Sequence, residues 1–298
     1  MIYQSAIQLI GDTPLYQFKH PNVQLYAKLE NQNIGGSVKD RLGYHLIERA
    51  LQEGLIQRGD TIVEPTAGNT GIGLAIAAQH FGVELIVTVP AKFSIEKQQL
   101  MRALGATVIE TSEEEGMDGA IERAEKLVAK GIAQYMPNQF DNEWNPEAYV
   151  GLADELMRDL NGHIDVLIAG GGSGGTLVGV ARRLREYNPN LKTVLVQPVG
   201  ATLEGHPEAP YAIEGIGMSR YSTFINPDEI NKISWVSDEE AFQATRYLAR
   251  HHSLLLGSSS GAAYVAMQRE AEQAERNQNI VTIFPDRIER YLQSNVLE

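Results

Sequence analysis

Short apolar runs alternate with amphipathic stretches along almost the whole chain. Residues 61–64, 84–89, 107–110, 165–169, 193–196 and 280–284 are rich in Val, Ile and Thr, are bounded by turn residues and are too short for helices, so they predict buried strands. Between them, apolar positions at three- and four-residue steps predict helices over 71–81, 94–104, 117–130, 146–160, 175–187, 238–252 and 260–275. The positions Val38, Leu42, Leu46, Ile47, Ala50 and Leu51 add one more, beginning near Ser37. Such alternation predicts an α/β fold with parallel sheets covered by helices on both faces, and places ligands at the carboxyl ends of strands. The stretch 198–228, with several Gly and Pro and little periodicity, is the longest irregular segment and a candidate binding loop. There is no internal repeat, low-complexity tract or obvious linker.

With 298 residues the chain has room for one large domain or two lobes sharing a cleft. A net charge of −13 and no Lys/Arg run longer than a pair argue against nucleic acid or an anionic membrane as partner. The absence of cysteine excludes disulfides, thiolate metal sites and Cys nucleophiles. The N-terminus lacks a basic, then apolar, leader pattern and no apolar run approaches the roughly 20 residues of a membrane span, so a cytoplasmic location is expected. The seven histidines show no His-Glu-x-x-His spacing, and no metal is expected. His251 and His252 end a helix and are expected to be solvated, Ser112-Glu-Glu-Glu-Gly116 to cap the helix over 117–130, and Trp144 and Trp235 to pack.

Candidate chemistry concentrates where glycine-rich turns enter helices. In Asn31-Gln-Asn-Ile-Gly-Gly-Ser-Val-Lys-Asp-Arg41 a lysine falls in a helix's first turn, where unpaired N–H groups carry partial positive charge. Either Lys39 bends into water, or the positive helix end favours the neutral amine, a nucleophile able to form a Schiff base with a carbonyl cofactor. Ala169-Gly-Gly-Gly-Ser-Gly-Gly-Thr-Leu177 follows a strand and opens a helix; its backbone N–H groups, with the Ser173 and Thr176 hydroxyls, suit a phosphate. It also matches G-x-G-x-x-G, but the next strand ends in Val196-Gln197-Pro198, without the carboxylate a dinucleotide site needs, which favours a single phosphate. Glu64-Pro-Thr-Ala-Gly-Asn-Thr-Gly-Ile-Gly73 puts Thr66, Asn69 and Thr70 on a loop fit for a small carboxylate, a helix cap being the other reading. Leu256-Gly-Ser-Ser-Ser-Gly-Ala-Ala263 reads as a cap with close helix packing, or as a hydroxyl meeting a ring nitrogen.

Together these motifs resemble the fold-type II pyridoxal-phosphate enzymes, in the branch of cysteine synthase (O-acetylserine sulfhydrylase) and cystathionine β-synthase. The likeness runs from Ile10-Gly-Asp-Thr-Pro-Leu15 to Phe284-Pro-Asp286 and Glu289-Arg-Tyr-Leu292. It implies a tryptophan synthase β-like fold: two doubly wound open-sheet lobes, with pyridoxal 5'-phosphate in the cleft between them. Residues 35–145 would form a smaller, mobile substrate-binding lobe, and 1–34 with 146–298 a larger lobe carrying the phosphate loop. By the resemblance Lys39 is the Schiff-base lysine; Gly172, Ser173, Gly174, Gly175 and Thr176 hold the cofactor phosphate; Asn69 meets the cofactor's 3' oxygen and Ser259 its ring nitrogen. Thr66, Ala67, Thr70 and Gln139 fall where the family binds the amino-acid carboxylate, and Glu214 with Gly215 where the cystathionine-forming branch handles its second substrate.

The activity implied is β-replacement of O-acetylserine by sulfide through an aminoacrylate, giving cysteine and acetate, in a homodimer. The alternative is homocysteine as nucleophile, with O-acetylserine or serine as donor, together with desulfhydrase or lanthionine-forming activity. Ala67 in place of the family's serine, Lys92-Phe-Ser-Ile-Glu-Lys97 and Glu214-Gly-Ile-Gly217 lean toward the cystathionine-forming branch. Gln197 where glutamate is common, Arg287-Ile288 after Pro-Asp, and Ile34 in place of proline depart from it. A dinucleotide oxidoreductase and a catalytically silent binding protein are the rivals from other classes.

Overall fold

The computed structural model describes residues 2–91, 93–292 and 294–298. Nine strands are present among them: β1 Leu15–Phe18, β2 Gln24–Leu29, β3 Thr61–Pro65, β4 Glu84–Pro90, β5 Thr107–Thr111, β6 Val166–Gly170, β7 Lys192–Pro198, β8 Lys232–Val236 and β9 Asn279–Phe284. The helices are α1 Lys39–Gln52, α2 Asn69–Phe81, α3 Ile95–Ala103, α4 Gly116–Ala129, α5 Trp144–Glu147, α6 Val150–Asp159, α7 Gly175–Arg185, α8 Asp238–His252 and α9 Ser258–Gln273. A six-stranded sheet has the order β1-β2-β9-β6-β7-β8, and a three-stranded sheet the order β3-β4-β5.

The six strands expected from the apolar runs are β3 to β7 and β9, and each is parallel to its neighbours. Alternate residues face opposite layers. Leu167, Ala169, Leu195, Val281 and Ile283 pack with α1, α6 and α7, whereas Val166, Ile168, Val194, Val196, Ile280 and Phe284 pack with α8 and α9. In the small sheet Ile62, Leu85 and Val87 face α1, α2 and α3, and Val63 faces α4. Three strands escaped the sequence reading, and the all-parallel expectation is corrected by one of them: β1 runs antiparallel to β2. β1 and β8 are edge strands, half-buried and lacking a long apolar run, while β2 is interrupted by Lys28.

Lys28 is fully buried because its charge is met inside the protein. Its Nζ donates to Thr13 O (2.6 Å) and pairs with Glu155 (2.8 Å). Arg41, in the first turn of α1, bridges Glu30 (2.7 Å) and Glu155 (2.8 Å). Burial works against the Arg41 charge, but the two carboxylates outweigh it and hold the guanidinium protonated; burial likewise raises Glu155, yet Arg41 and Lys28 pull it down to about 2. This network ties α1 to β2 and α6.

Other expectations shift in detail. The helix over 146–160 is two helices, because Tyr149 leaves helical geometry (φ −109, ψ 6) and buries its ring completely. Ser112 does not cap α4; its Oγ accepts from Glu114 N (3.3 Å) one turn early. His251 is exposed as expected, but His252 packs its edge on Phe18 (4.9 Å) with Tyr16 OH 2.9 Å from Nδ1. Trp235 stacks on His206 (3.8 Å), and Trp144 packs under Arg49 (5.2 Å). Beyond the end of β7 at Pro198 and a bridge between Val199 and Ala201, the stretch 198–228 carries the short helical turn Leu203–Gly205 and the start of Pro227–Glu229. No helix among the described residues is long and apolar enough to cross a membrane.

Candidate active site

Four helices begin at one cavity of about 260 Å³. Lys39 is the first residue of α1, Asn69 and Thr70 open α2, Gly174 and Thr176 flank the start of α7, and Ser259 is the second residue of α9; all of them line it. Four helix N-termini meeting at one space, each carrying the positive end of a helix dipole, make it suited to anions. The wall is completed by Thr66, Gly68, Gln139, Gly170, Gly172, Ser173, Gly215, Pro285 and Asp286.

Close backbone approach brings α1 and α2 together. A Cβ on Gly73 would stand 2.2 Å from Lys39 O, so any side chain there would push the lysine's turn out of place. Lys39 does not bend into water. Its half-buried side chain places Nζ 3.3 Å from the hydroxyl of Tyr149 and 5.8 Å from that ring's centre. The next residue, Asp40, is buried, accepts from Gly35 N (2.6 Å) and is pushed up to about 7 by burial.

The glycine-rich loop 170–176 is held from three directions. Gly174 takes φ +80, a conformation costly for any other residue. Gln197 Nε2 donates to Gly171 O (2.9 Å) while its Oε1 accepts from Met218 N (2.7 Å), pinning this loop to the segment around Gly215. The glutamine that argued against a dinucleotide therefore has a structural task. Ser222 Oγ donates to Ser173 O (2.8 Å). Asn145, fully buried, donates to Ser173 Oγ (3.1 Å) and to Gln139 O (2.6 Å), joining the phosphate loop to the opposite wall. Nothing in sequence spacing pointed to Asn145 or Tyr149; both lie on the broken helix segment that looked like ordinary packing.

On that opposite wall, Thr70 Oγ1 donates to Gln139 Oε1 (2.8 Å). The backbone N–H groups of Asn138 (2.7 Å) and Gln139 (3.1 Å) donate to the buried Glu64 carboxylate, which burial pushes up to about 7. Thr66 Oγ1 accepts from Gly68 N (3.3 Å). Ala67 does not line the cavity, and neither does Glu214. Its carboxylate turns to Lys97 Nζ (2.6 Å), whose ammonium stands over the Tyr291 ring (4.5 Å). Lys92 of that stretch lies outside the described residues.

The C-terminal segment closes the remaining side. Asn69 Nδ2 donates to Asp286 Oδ2 (2.7 Å), Arg290 Nη1 donates to Asn69 Oδ1, and Tyr291 OH donates to the same Asp286 oxygen. Burial raises the Asp286 carboxyl, and raises Tyr291 well above the usual phenol range. Arg287 Nε donates to Asn31 O (2.6 Å) and Ile288 is buried with Tyr291, so the two unusual residues after Pro-Asp serve packing outside the cavity; Ile34 is exposed.

A pyridine aldehyde phosphate fits these donors. The glycine cradle with Ser173 and Thr176 meets the needs of a phosphate dianion, Lys39 offers the amine for the aldehyde carbon, and Ser259, only 2% exposed, offers a neutral partner to a ring nitrogen. Among the described residues there is no cluster of His, Cys, Asp and Glu able to hold a metal ion.

Residues 6–286 match the family described as pyridoxal-phosphate dependent enzyme. The chain is 45% identical to the O-acetylserine dependent cystathionine beta-synthase of Bacillus subtilis, over 98% of this chain and 96% of the relative. It is also 45% identical to a cysteine synthase of Helicobacter pylori, over 99% of both. Among solved structures, an O-acetylserine dependent cystathionine beta-synthase from Helicobacter pylori superposes with TM-score 0.95 at 45% identity, covering 100% of both chains. O-acetyl serine sulfhydrylase isoform 3 from Entamoeba histolytica superposes with TM-score 0.95 at 34% identity, covering 99% of this chain and 92% of that one.

Proposed function

The chain belongs to the pyridoxal-phosphate dependent enzyme family, and from that premise we propose that it is a cysteine synthase, replacing the acetoxy group of O-acetyl-L-serine by sulfide. The observation that carries this reading is that Lys39 and the Gly172–Thr176 loop face one cavity, bounded by polar residues suited to an amino-acid carboxylate. Bound pyridoxal phosphate supplies a carbonyl for amine condensation and an electron sink for the pair left at Cα. Lys39 would hold the cofactor through Nζ and, as a free amine, would take the Cα proton as general base. Tyr149 OH, 3.3 Å from Nζ, orients that amine. Thr66, Thr70 and Gln139 would bind the substrate carboxylate at the α2 N-terminus, and Asn69 and Ser259 would hold the cofactor by its ring oxygen and ring nitrogen. Residues 35–145 act as the smaller, moving lobe against 1–34 and 146–298. The enzyme works as a cytoplasmic homodimer on small molecules.

The second reading uses homocysteine as nucleophile and yields cystathionine. It is favoured by the Glu214 carboxylate at the rim of the cavity, next to Gly215, and by the name of the Bacillus subtilis relative. Visible absorption of the purified protein, followed on adding O-acetylserine and then sulfide or homocysteine, tests both. A band that shifts with O-acetylserine and returns faster with sulfide, with cysteine as product, is the expected outcome. Return only with homocysteine would select the second reading, and a protein that binds no pyridoxal phosphate would end both.

A further inference from the structure

Resting on the pyridoxal-phosphate reading, we infer that Asp286 and Arg290 are positioning residues that lock the rotation of the Asn69 amide, so that Nδ2–H rather than Oδ1 is presented to the cofactor's ring oxygen. A side-chain amide is nearly symmetric in shape, and its two rotations differ only through their partners. Here the partners are opposite in kind: the Asp286 carboxylate takes Nδ2–H (2.7 Å) and the Arg290 guanidinium donates to Oδ1. Turning the amide over would set oxygen against carboxylate and N–H against guanidinium, losing two charge-assisted hydrogen bonds at once.

Both partners are themselves held. Tyr291 OH donates to Asp286 Oδ2, and the other guanidinium nitrogen of Arg290 donates to Gly35 O in the loop leading to Lys39. Asp286 is 1% exposed and Arg290 8%, so water does not substitute for either. Asn69, Asp286 and Lys39 line the same cavity. The ring oxygen of pyridoxal phosphate is ortho to the carbonyl carbon that Lys39 must reach, and in its ionised form it requires a donor. Asn69 Nδ2 has one N–H committed to Asp286 and a second left for that oxygen.

The test uses holoenzyme and reads the ratio of the visible to the near-ultraviolet absorption band of bound cofactor, which reports whether the ring oxygen is ionised or protonated. In Asp286→Asn the new amide no longer opposes the turned-over Asn69, leaving Arg290 alone to hold its rotation, and the ratio falls at least about twofold while the Kd for the cofactor rises about tenfold, the size expected for a hydrogen bond to a charged group. Arg290→Gln removes the opposing clamp and shifts the ratio the same way, so either variant that retains its circular dichroism decides the matter. An unchanged ratio in a folded Asp286→Asn or Arg290→Gln holoenzyme, even with weakened affinity, overturns the inference alone. A wild-type chain that binds no pyridoxal phosphate overturns the reading beneath it.

Discussion

Lys97 Nζ lies 2.6 Å from Glu214 Oε2, joining α3 beside the small sheet to the irregular 198–228 segment at the cavity's edge. The lysine is almost buried and its partner side chain is 44% exposed. In this geometry Glu214 is engaged by the protein, and a nucleophile such as sulfide, which carries no ammonium, has no need of it. Glu214→Gln is therefore expected to change kcat/KM by similar, small factors, about threefold, with sulfide and with homocysteine, in line with a half-exposed ion pair worth about 0.6 kcal/mol. A loss confined to homocysteine in steady-state product assays would favour the cystathionine-forming reading.

Lys39→Ala removes the amine proposed both to hold the cofactor and to move the Cα proton. Turnover of O-acetylserine is expected to fall at least about 10³-fold, as for other residues that act at the reacting atoms, with loss of the visible band. Tyr149→Phe keeps the amine and loses only the 3.3 Å contact that orients it. Its kcat should drop about tenfold or less with the band retained.

Asn145 ties Ser173 to the Gln139 backbone through one buried nitrogen. Asn145→Ala leaves Gln139 O without its donor in the interior and is expected to cost about 2 kcal/mol of stability in urea unfolding. Because it loosens the phosphate loop and the substrate wall together, cofactor affinity and the KM for O-acetylserine should worsen in the same variant.

Glu64 has its carboxyl raised by burial to about 7 from 4.5. A carboxyl raised in the folded state contributes stability that is full below its unfolded value and lost as pH rises through the folded one, so the window is about pH 4.5 to 7. Glu64→Gln does not titrate. The stability of the wild type relative to this variant should therefore fall by about 3 kcal/mol between pH 4 and pH 8, read from paired urea titrations. A constant difference would show that Glu64 ionises normally.

Arg41 stands between Glu30, which is fully buried, and Glu155. Arg41→Met strands at least one carboxylate in the interior and is expected to destabilise by about 3–5 kcal/mol. In the wild type Glu155 is held down at about 2, so its contribution is present above about pH 4.5 and lost as pH falls toward 2. Acid unfolding of the wild type should show that loss, and the variant should show less of it.

The strand-to-helix rhythm was legible because buried parallel strands must be continuous apolar runs, and six of nine strands followed from it. β1, β2 and β8 were not, since an edge strand needs only one apolar face and Lys28 inside β2 reads as polar until Glu155 is found beside it. Lys39 and the glycine loop were legible for a related reason: backbone that must meet an anion needs glycine, and glycine clusters are visible in one dimension.

What the chain order alone determined, then, is local: which segments form strands and helices, where helix N-termini open, and which lysine sits on one of them. What only the tertiary structure decided is which of those N-termini share a cavity and what holds the side chains around it. Asn145 spanning Gln139 and Ser173, Tyr149 under Lys39, and Asp286 with Arg290 on either end of Asn69 are pairings between residues up to 221 positions apart. Hydrogen bonds of that kind leave no periodicity in sequence, because the partner is set by the packing of the sheets and not by spacing along the chain.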